Sequence, residues 1–536
     1  FFLYFCTGAC HAPHQSPPEW RQRYRGAFDA GWDEWRQATF ARQMEAGLLP
    51  PTTELSPRPE WVPAWESLSA DEKRLYARYM EAFAGFMSHT DDQVGRLLRG
   101  LGEMGKLDNT LLFVLSDNGA SSEGGPGGSV NDGRLWNMAP KPFEEALARI
   151  DEIGGPLCHN NYPWGWTVAG NTPFRRWKRE VHEGGVADPL IVHWPAGVPE
   201  RGGLRRQYVH AIDLVPTVLE VLGVEPPEEL EGVAQSPIEG TSFAHTFADA
   251  SAESRHRVQY YEMFGCRAIY RDGWKAVTYH PIQDTRTGFD EDRWELYHVD
   301  VDPSECHDLA GEHPELLRQM VELWWAEAGR YQVLPLDNRP FSEFVLERPP
   351  ALPPRQTYVY YPGAAAVPEG VAANLHNRAH RISAEVEVPP GGAEGVLIAQ
   401  GSGLGGWSLF VKDGRLAYVH NYVSYELHRI GAERPVAEGA HRLEFRYVPT
   451  GQHQGRGELW VDGDLAGQGE IPRFTPHLFS LCGAGLTCGY SDGLPVTPEY
   501  RAPFAFTGRL SKVTVEVDGT PWVDAEAQVR AAVARQ

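Results

Sequence analysis

From Ser69 onward apolar residues recur with the period of a helix: Tyr76, Tyr79, Met80, Phe83, Phe86, Met87, Val94, Leu97, Leu98 and Leu101 lie at helical spacing. Ser69 and Glu72 form a capping box at the start and Gly105 breaks the pattern, so one long amphipathic helix is predicted. Thr110 to Leu115 (TLLFVL) is then a continuous apolar run of strand length, the pattern of a strand covered on both faces in a parallel sheet. Leu190 to Trp194 (LIVHW) repeats it, and Asp213 to Leu222 reads as another helix. Strand and helix alternate, which predicts an α/β first part with long loops at Ser121 to Asn137 and Leu157 to Thr172. The opening FFLYF reads as a strand cut from a larger sheet, and the chain as a fragment whose upstream portion is missing.

After the Pro-rich stretch that starts at Pro349 the period changes to two, in short segments such as RISAEVEV, WSLFVKDGRLAYVH and HRLEFRYV. Asp413-Gly414, Asp462-Gly463 and Asp518-Gly519 sit between or beside these runs as turn signals. The region is predicted to be an all-β sandwich that folds separately, with little influence on any chemistry in the first part.

The chain has 536 residues, with 49 Lys and Arg against 72 Asp and Glu and a formal charge of -23. A surface this acidic repels phosphate backbones and anionic membranes, which argues against nucleic acid as a partner. No apolar run approaches the roughly 18 residues of a membrane span, so a soluble protein is expected, cytoplasmic or periplasmic. Seven cysteines without a CxxC pair give no disulfide framework.

Ser116-Asp117-Asn118-Gly119 follows the first apolar strand, at the sheet edge where open α/β folds bind ligands. Asp117 and Asn118 are adjacent oxygen donors of the kind that hold Ca²⁺ or Mg²⁺. His11 lies where Pro13, Pro17 and Pro18 forbid a regular helix, so His11 and His14 are not a helical metal pair; His14 is read as an ordinary loop histidine. Lys178 stands five residues before Glu183-Gly184-Gly185, in a chain where all but seven of the 49 basic residues are Arg. Asp91-Asp92 falls inside the long helix; Asp91 is placed on the packed stripe and Asp92 turned away, and the pair is read as structural.

GACHAPHQSP (from Gly8), SDNGA (from Ser116), NTPFRRWKREVHEGG (from Asn171), HAIDLVPTVLEVLGV (from His210) and ELYHVDVDPSECHDLA (from Glu295) resemble, in order, signatures of the sulfatase family, arylsulfatases in particular. The all-β part is similar to the lectin-like, concanavalin-like sandwich appended to some long bacterial arylsulfatases. The resemblance implies an alkaline-phosphatase-like α/β core with a mixed sheet flanked by helices over residues 1–255, lacking its N-terminal part. A small α+β subdomain over 256–345 and the sandwich over 350–525 would follow. It implies Asp117 and Asn118 as metal ligands, and His11 and Lys178 as catalytic residues at the leaving oxygen and the sulfate.

The family's nucleophile is a formylglycine made from Cys or Ser in a C/S-x-P/A-x-R context, installed by a formylglycine-generating enzyme. None of the seven cysteines and no serine here has that context; Cys10 comes nearest, with His14 in place of the Arg. The nucleophile-bearing segment is therefore expected upstream, and the chain as written is expected to be inactive. The substrate would be a small-molecule or carbohydrate sulfate ester. A phosphoester or phosphonate hydrolase of the same superfamily, or a non-enzymatic carbohydrate-binding homologue, stays open.

Overall fold

The computed structural model describes residues 1–281, 288–337, 355–376, 378–482 and 484–519. The expected domain limits at 345, 350 and 525 and the stretch Pro349 to Pro354 lie outside them. Helix α1, Gly31–Glu45, is followed by α2, Ala70–Glu103. The capping box forms: the Glu72 amide donates to Ser69 Oγ at 3.3 Å, and the Ser69 amide to Glu72 Oε2 at 2.8 Å. The apolar stripe of α2 buries Leu75, Tyr76, Tyr79 and Met80 against Trp32, Trp65 and Trp166, each large side chain contributing about 1.5–3 kcal/mol. Beyond Gly85 the helix is covered unevenly: Phe86 packs on His14 and His89 on Trp20, while Met87 is 40% exposed. Asp91, one turn on, is consequently in water and Asp92 half-buried, the reverse of the order read from the stripe.

Strands β1, Leu112–Leu115, and β2, Leu190–His193, pair with each other, Leu112 opposite His193 and Leu115 opposite Leu190. The pair is antiparallel and, among the described residues, two-stranded, so the expected burial on both faces is not met: Ile191 is 60% exposed. Phe1 to Phe5 form no strand and are exposed. Helix α3, Leu214–Leu222, ends in the left-handed Gly223, φ 63°. Among the described residues no helix is long and apolar enough to cross a membrane.

A four-stranded antiparallel meander follows: β3 Val258–Met263, β4 Cys266–Arg271, β5 Trp274–Thr278 and β6 Trp294–His298. Helix α4, Pro314–Arg330, packs Met320 and Trp324 onto Ile269, Ala276 and Leu296 of that sheet.

The remainder is a sandwich of a six-stranded and a five-stranded antiparallel sheet. Strand β7, His380–Val388, shows how period two builds it: Ile382, Ala384, Val386 and Val388 face the core while Glu385 and Glu387 face water. Asp413-Gly414 and Asp462-Gly463 both adopt positive φ and close two-residue hairpins, pairing Lys412 with Arg415 and Val461 with Asp464.

The sandwich does not hang free. Asn137, fully buried, donates from Nδ2 to Leu478 O at 2.8 Å and accepts at Oδ1 from the amides of His477 (3.0 Å) and Leu478 (3.1 Å). The Tyr422 hydroxyl donates to Asn137 O at 2.6 Å. Asn131 Nδ2 donates to Leu404 O and Val423 O, and the buried Arg134, held bidentate by Glu145, donates to Ser424 O. These contacts come from the segment read as a long loop after Ser121, which carries a short helix at Gly133–Trp136.

Candidate functional site

Two stretches of backbone, at the end of β1 and before β2, are welded into one unit. The Gly119 amide donates to Gly185 O at 3.3 Å and the Lys178 amide to Ala120 O at 3.1 Å. Asn171 spans the joint, accepting at Oδ1 from the Ala120 amide (2.8 Å) and donating from Nδ2 to Arg176 O (2.8 Å). Only glycine fits at the contact: a Cβ on Gly184 would lie 2.2 Å from Arg175 O, and one on Gly185 1.8 Å from Glu180 O. Arg176 (φ 63°) and Arg179 (φ 86°) bracket Lys178 in left-handed backbone, a strained conformation for such side chains that the surrounding contacts hold in place.

A buried charge network anchors this unit to the meander. Lys275 on β5, 1% exposed, lies 2.6 Å from Glu183 Oε1 and 3.5 Å from Glu305 Oε1, and Glu305 Oε2 accepts from the Glu183 amide at 3.1 Å. Burial works against the Lys275 ammonium, but the carboxylates of Glu183 and Glu305 outweigh it and hold its proton more firmly than in water. His182 Nε2 lies 3.0 Å from Glu295 Oε2 on β6. Burial would raise the Glu295 carboxyl, yet the hydrogen bond and charge of His182, with Arg175, bring it down to about 2. These residues are structural supports; in the sequence Glu183 served only to mark the spacing of Lys178, and Lys275, Glu295 and Glu305 were not singled out.

The site side chains divide. Lys178 Nζ is 2.8 Å from Glu123 Oε1, and His11 Nε2 is 3.4 Å from Glu123 Oε2, so one carboxylate joins both sequence-predicted residues. His11 Nδ1 is 2.9 Å from Ala12 O, which leaves Nε2 as the nitrogen presented to the site. Glu123 was missed; the only hint in the sequence is an acid set before two glycines in the loop that follows SDNGA. His14 is not a solvated loop histidine: it is 2% exposed, caged by Phe83, Phe86 and Tyr162. Burial drives its imidazole down to about 3, so it stays neutral.

Asp117 is exposed and Asn118 half-buried at the turn after β1. Asp188, just before β2, is the neighbouring carboxylate: burial, then the charges of Asp117 and Glu183, push it up to about 6. The charges of Asp117, Asp188 and Lys178 all act on the thiol of Cys10, which puts the His11 loop beside the strand-end turn. Two carboxylates repelling each other beside an amide oxygen suit a hard cation in kind. In number they fall short, since the described residues contain no group of three or more His, Cys, Asp or Glu placed to hold one.

Residues 1–224 match the family model described as Sulfatase, and residues 175–324 the model described as N-sulphoglucosamine sulphohydrolase, C-terminal. An uncharacterised sulfatase of Schizosaccharomyces pombe is 29% identical over 330 residues, covering 60% of this chain and 57% of its own length. An arylsulfatase of Klebsiella aerogenes is 26% identical over 244 residues, 45% of this chain and 50% of its own. The chain thus spans about half the length of these curated relatives. The solved phosphonate monoester hydrolase of Agrobacterium radiobacter is 16% identical at a TM-score of 0.30, covering 48% of this chain and 42% of its own, too loose a likeness to argue from.

Proposed function

Because the chain belongs, through residues 1–324, to the sulfatase family of the alkaline phosphatase superfamily, we propose that it takes part in the hydrolysis of sulfate esters of the arylsulfatase type. Its mixed α/β part fits the alkaline-phosphatase-like fold of that family. The observation that carries the proposal is the weld of the Asp117 turn to the Lys178 segment, with His11 reaching the same carboxylate as Lys178.

In this reading Lys178 Nζ is a point cation for the sulfate oxygens, and compensates charge that grows in the transition state. His11 Nε2 serves the leaving oxygen as proton donor, a role that suits an imidazole near neutral pH. Asp117 and Asn118 would contribute two ligands to Ca²⁺ or Mg²⁺. When bound, that ion supplies Lewis-acid polarisation of the sulfate. The nucleophile is a formylglycine in a segment outside these residues, made by a formylglycine-generating enzyme. The substrate is a small-molecule or carbohydrate sulfate ester.

The test is to assay a chromogenic aryl sulfate with this chain alone, and with the chain joined to its upstream coding sequence and matured by a formylglycine-generating enzyme. Turnover by the joined form, lost together with bound metal in Asp117→Ala, is expected. Equal turnover by this chain alone would place the nucleophile within these residues and overturn the reading.

A further inference from the structure

Among the described residues, the carboxylate of Glu123 has two partners, Lys178 Nζ at 2.8 Å and His11 Nε2 at 3.4 Å, one on each oxygen. Its side chain is 10% exposed, against 23% for Lys178 and 60% for His11, so the carboxylate that bridges the two nitrogens is the most buried of the three groups. A carboxylate is a flat two-oxygen anion, and presents to two donors much what one O–S–O edge of a sulfate presents. Its backbone is pinned on both sides. The Glu123 amide donates to Ser121 Oγ at 3.2 Å, and Gly124 lies so close to Tyr162 that a Cβ there would stand 2.0 Å from the Tyr162 carbonyl oxygen. The side chain can therefore leave by rotation while the loop stays in place.

We propose that Glu123 is the resident anion of this site: its carboxylate holds the position between Lys178 and His11 that a sulfate oxygen takes, and an entering sulfate group must displace it. Glu123 thereby sets the threshold for anion entry and favours ligands whose charge on the oxygens exceeds what one carboxylate offers. This rests on the reading of Lys178 as the sulfate-binding residue.

The experiment titrates inorganic sulfate into the 536-residue chain by calorimetry at low ionic strength, for the wild type, Glu123→Gln, Lys178→Ala and the double variant. Gln keeps the shape and an acceptor for Lys178 while removing the charge. Glu123→Gln is expected to bind sulfate about fivefold tighter or more, the size of one partly screened charge contact, with binding lost when Lys178 is also changed. Lys178-dependent binding that is equal or weaker in Glu123→Gln overturns the resident-anion role and leaves the sulfate reading of Lys178 standing. Sulfate binding that is absent in both backgrounds, or indifferent to Lys178→Ala, overturns that reading and this inference with it. If Glu123→Gln melts well below the wild type, Glu123→Asp, one methylene shorter and drawn back from Lys178, is read for the same tightening.

Discussion

The backbones of Gly119 and Gly184 meet so closely that a methyl group on Gly119 would stand 1.8 Å from the Gly184 carbonyl oxygen. Two sequence segments more than sixty positions apart share one wall there, and the candidate site is built on it. Gly119→Ala must push the wall apart, at a loss on the order of 3 kcal/mol. Urea unfolding measures it; a change below about 0.5 kcal/mol, within the range of ordinary surface substitutions, would mean that the contact is not formed.

Asn137→Ala strips the partners from the Leu478 carbonyl and the amides of His477 and Leu478, all part of the junction with the sandwich. Leaving such groups unpaired costs about 1–3 kcal/mol. The expected result is a lower melting temperature and an earlier, separate transition for one part of the chain, followed by calorimetry. A single unaltered transition would show that the junction adds nothing to stability.

His14 and, in the sandwich, His380 are buried and neutral, their imidazoles driven by burial to about 3 and about 4. Both folded-state values lie below the unfolded value near 6.5, so below it the unfolded chain binds more protons. Stability is therefore full above pH 6.5 and falls as pH drops towards 4 and 3, by an amount on the order of 3 kcal/mol for each histidine. His14→Phe, which keeps a ring among Phe83, Phe86 and Tyr162, is expected to flatten part of this acid slope in melts recorded from pH 7 to pH 4.

Lys275→Met leaves Glu183 and the fully buried Glu305 facing each other without their cation. Breaking one side of such a buried network costs on the order of 4 kcal/mol. Adding Glu305→Gln should recover part of the loss, and chemical denaturation of the single and double variants checks both statements.

The elements that could be read from the chain alone are those whose signal is local. The capping box of Ser69 with Glu72, the stripe of α2, the period-two strands and the Asp-Gly hairpins each follow from neighbouring residues, because backbone geometry repeats every 3.6 or 2 residues. The five ordered motifs likewise marked the family and pointed to Asp117, Asn118, Lys178 and His11 as residues of interest. What the tertiary structure alone decided depends on which distant segments meet. No periodicity could tell that Glu123 closes on both Lys178 and His11, that Lys275 pairs with Glu183, or that Asn137 binds Leu478, since each contact joins stretches of chain with no sequence relation. The same holds for the misread elements. Leu112–Leu115 has the apolar content of a covered strand, yet its burial depends on neighbours, and β2, the one strand beside it among the described residues, leaves Val114 and Leu115 exposed. His14 looked like a loop histidine because its cage comes from α2 and from Tyr162, and burial is a property of the partners as much as of the residue.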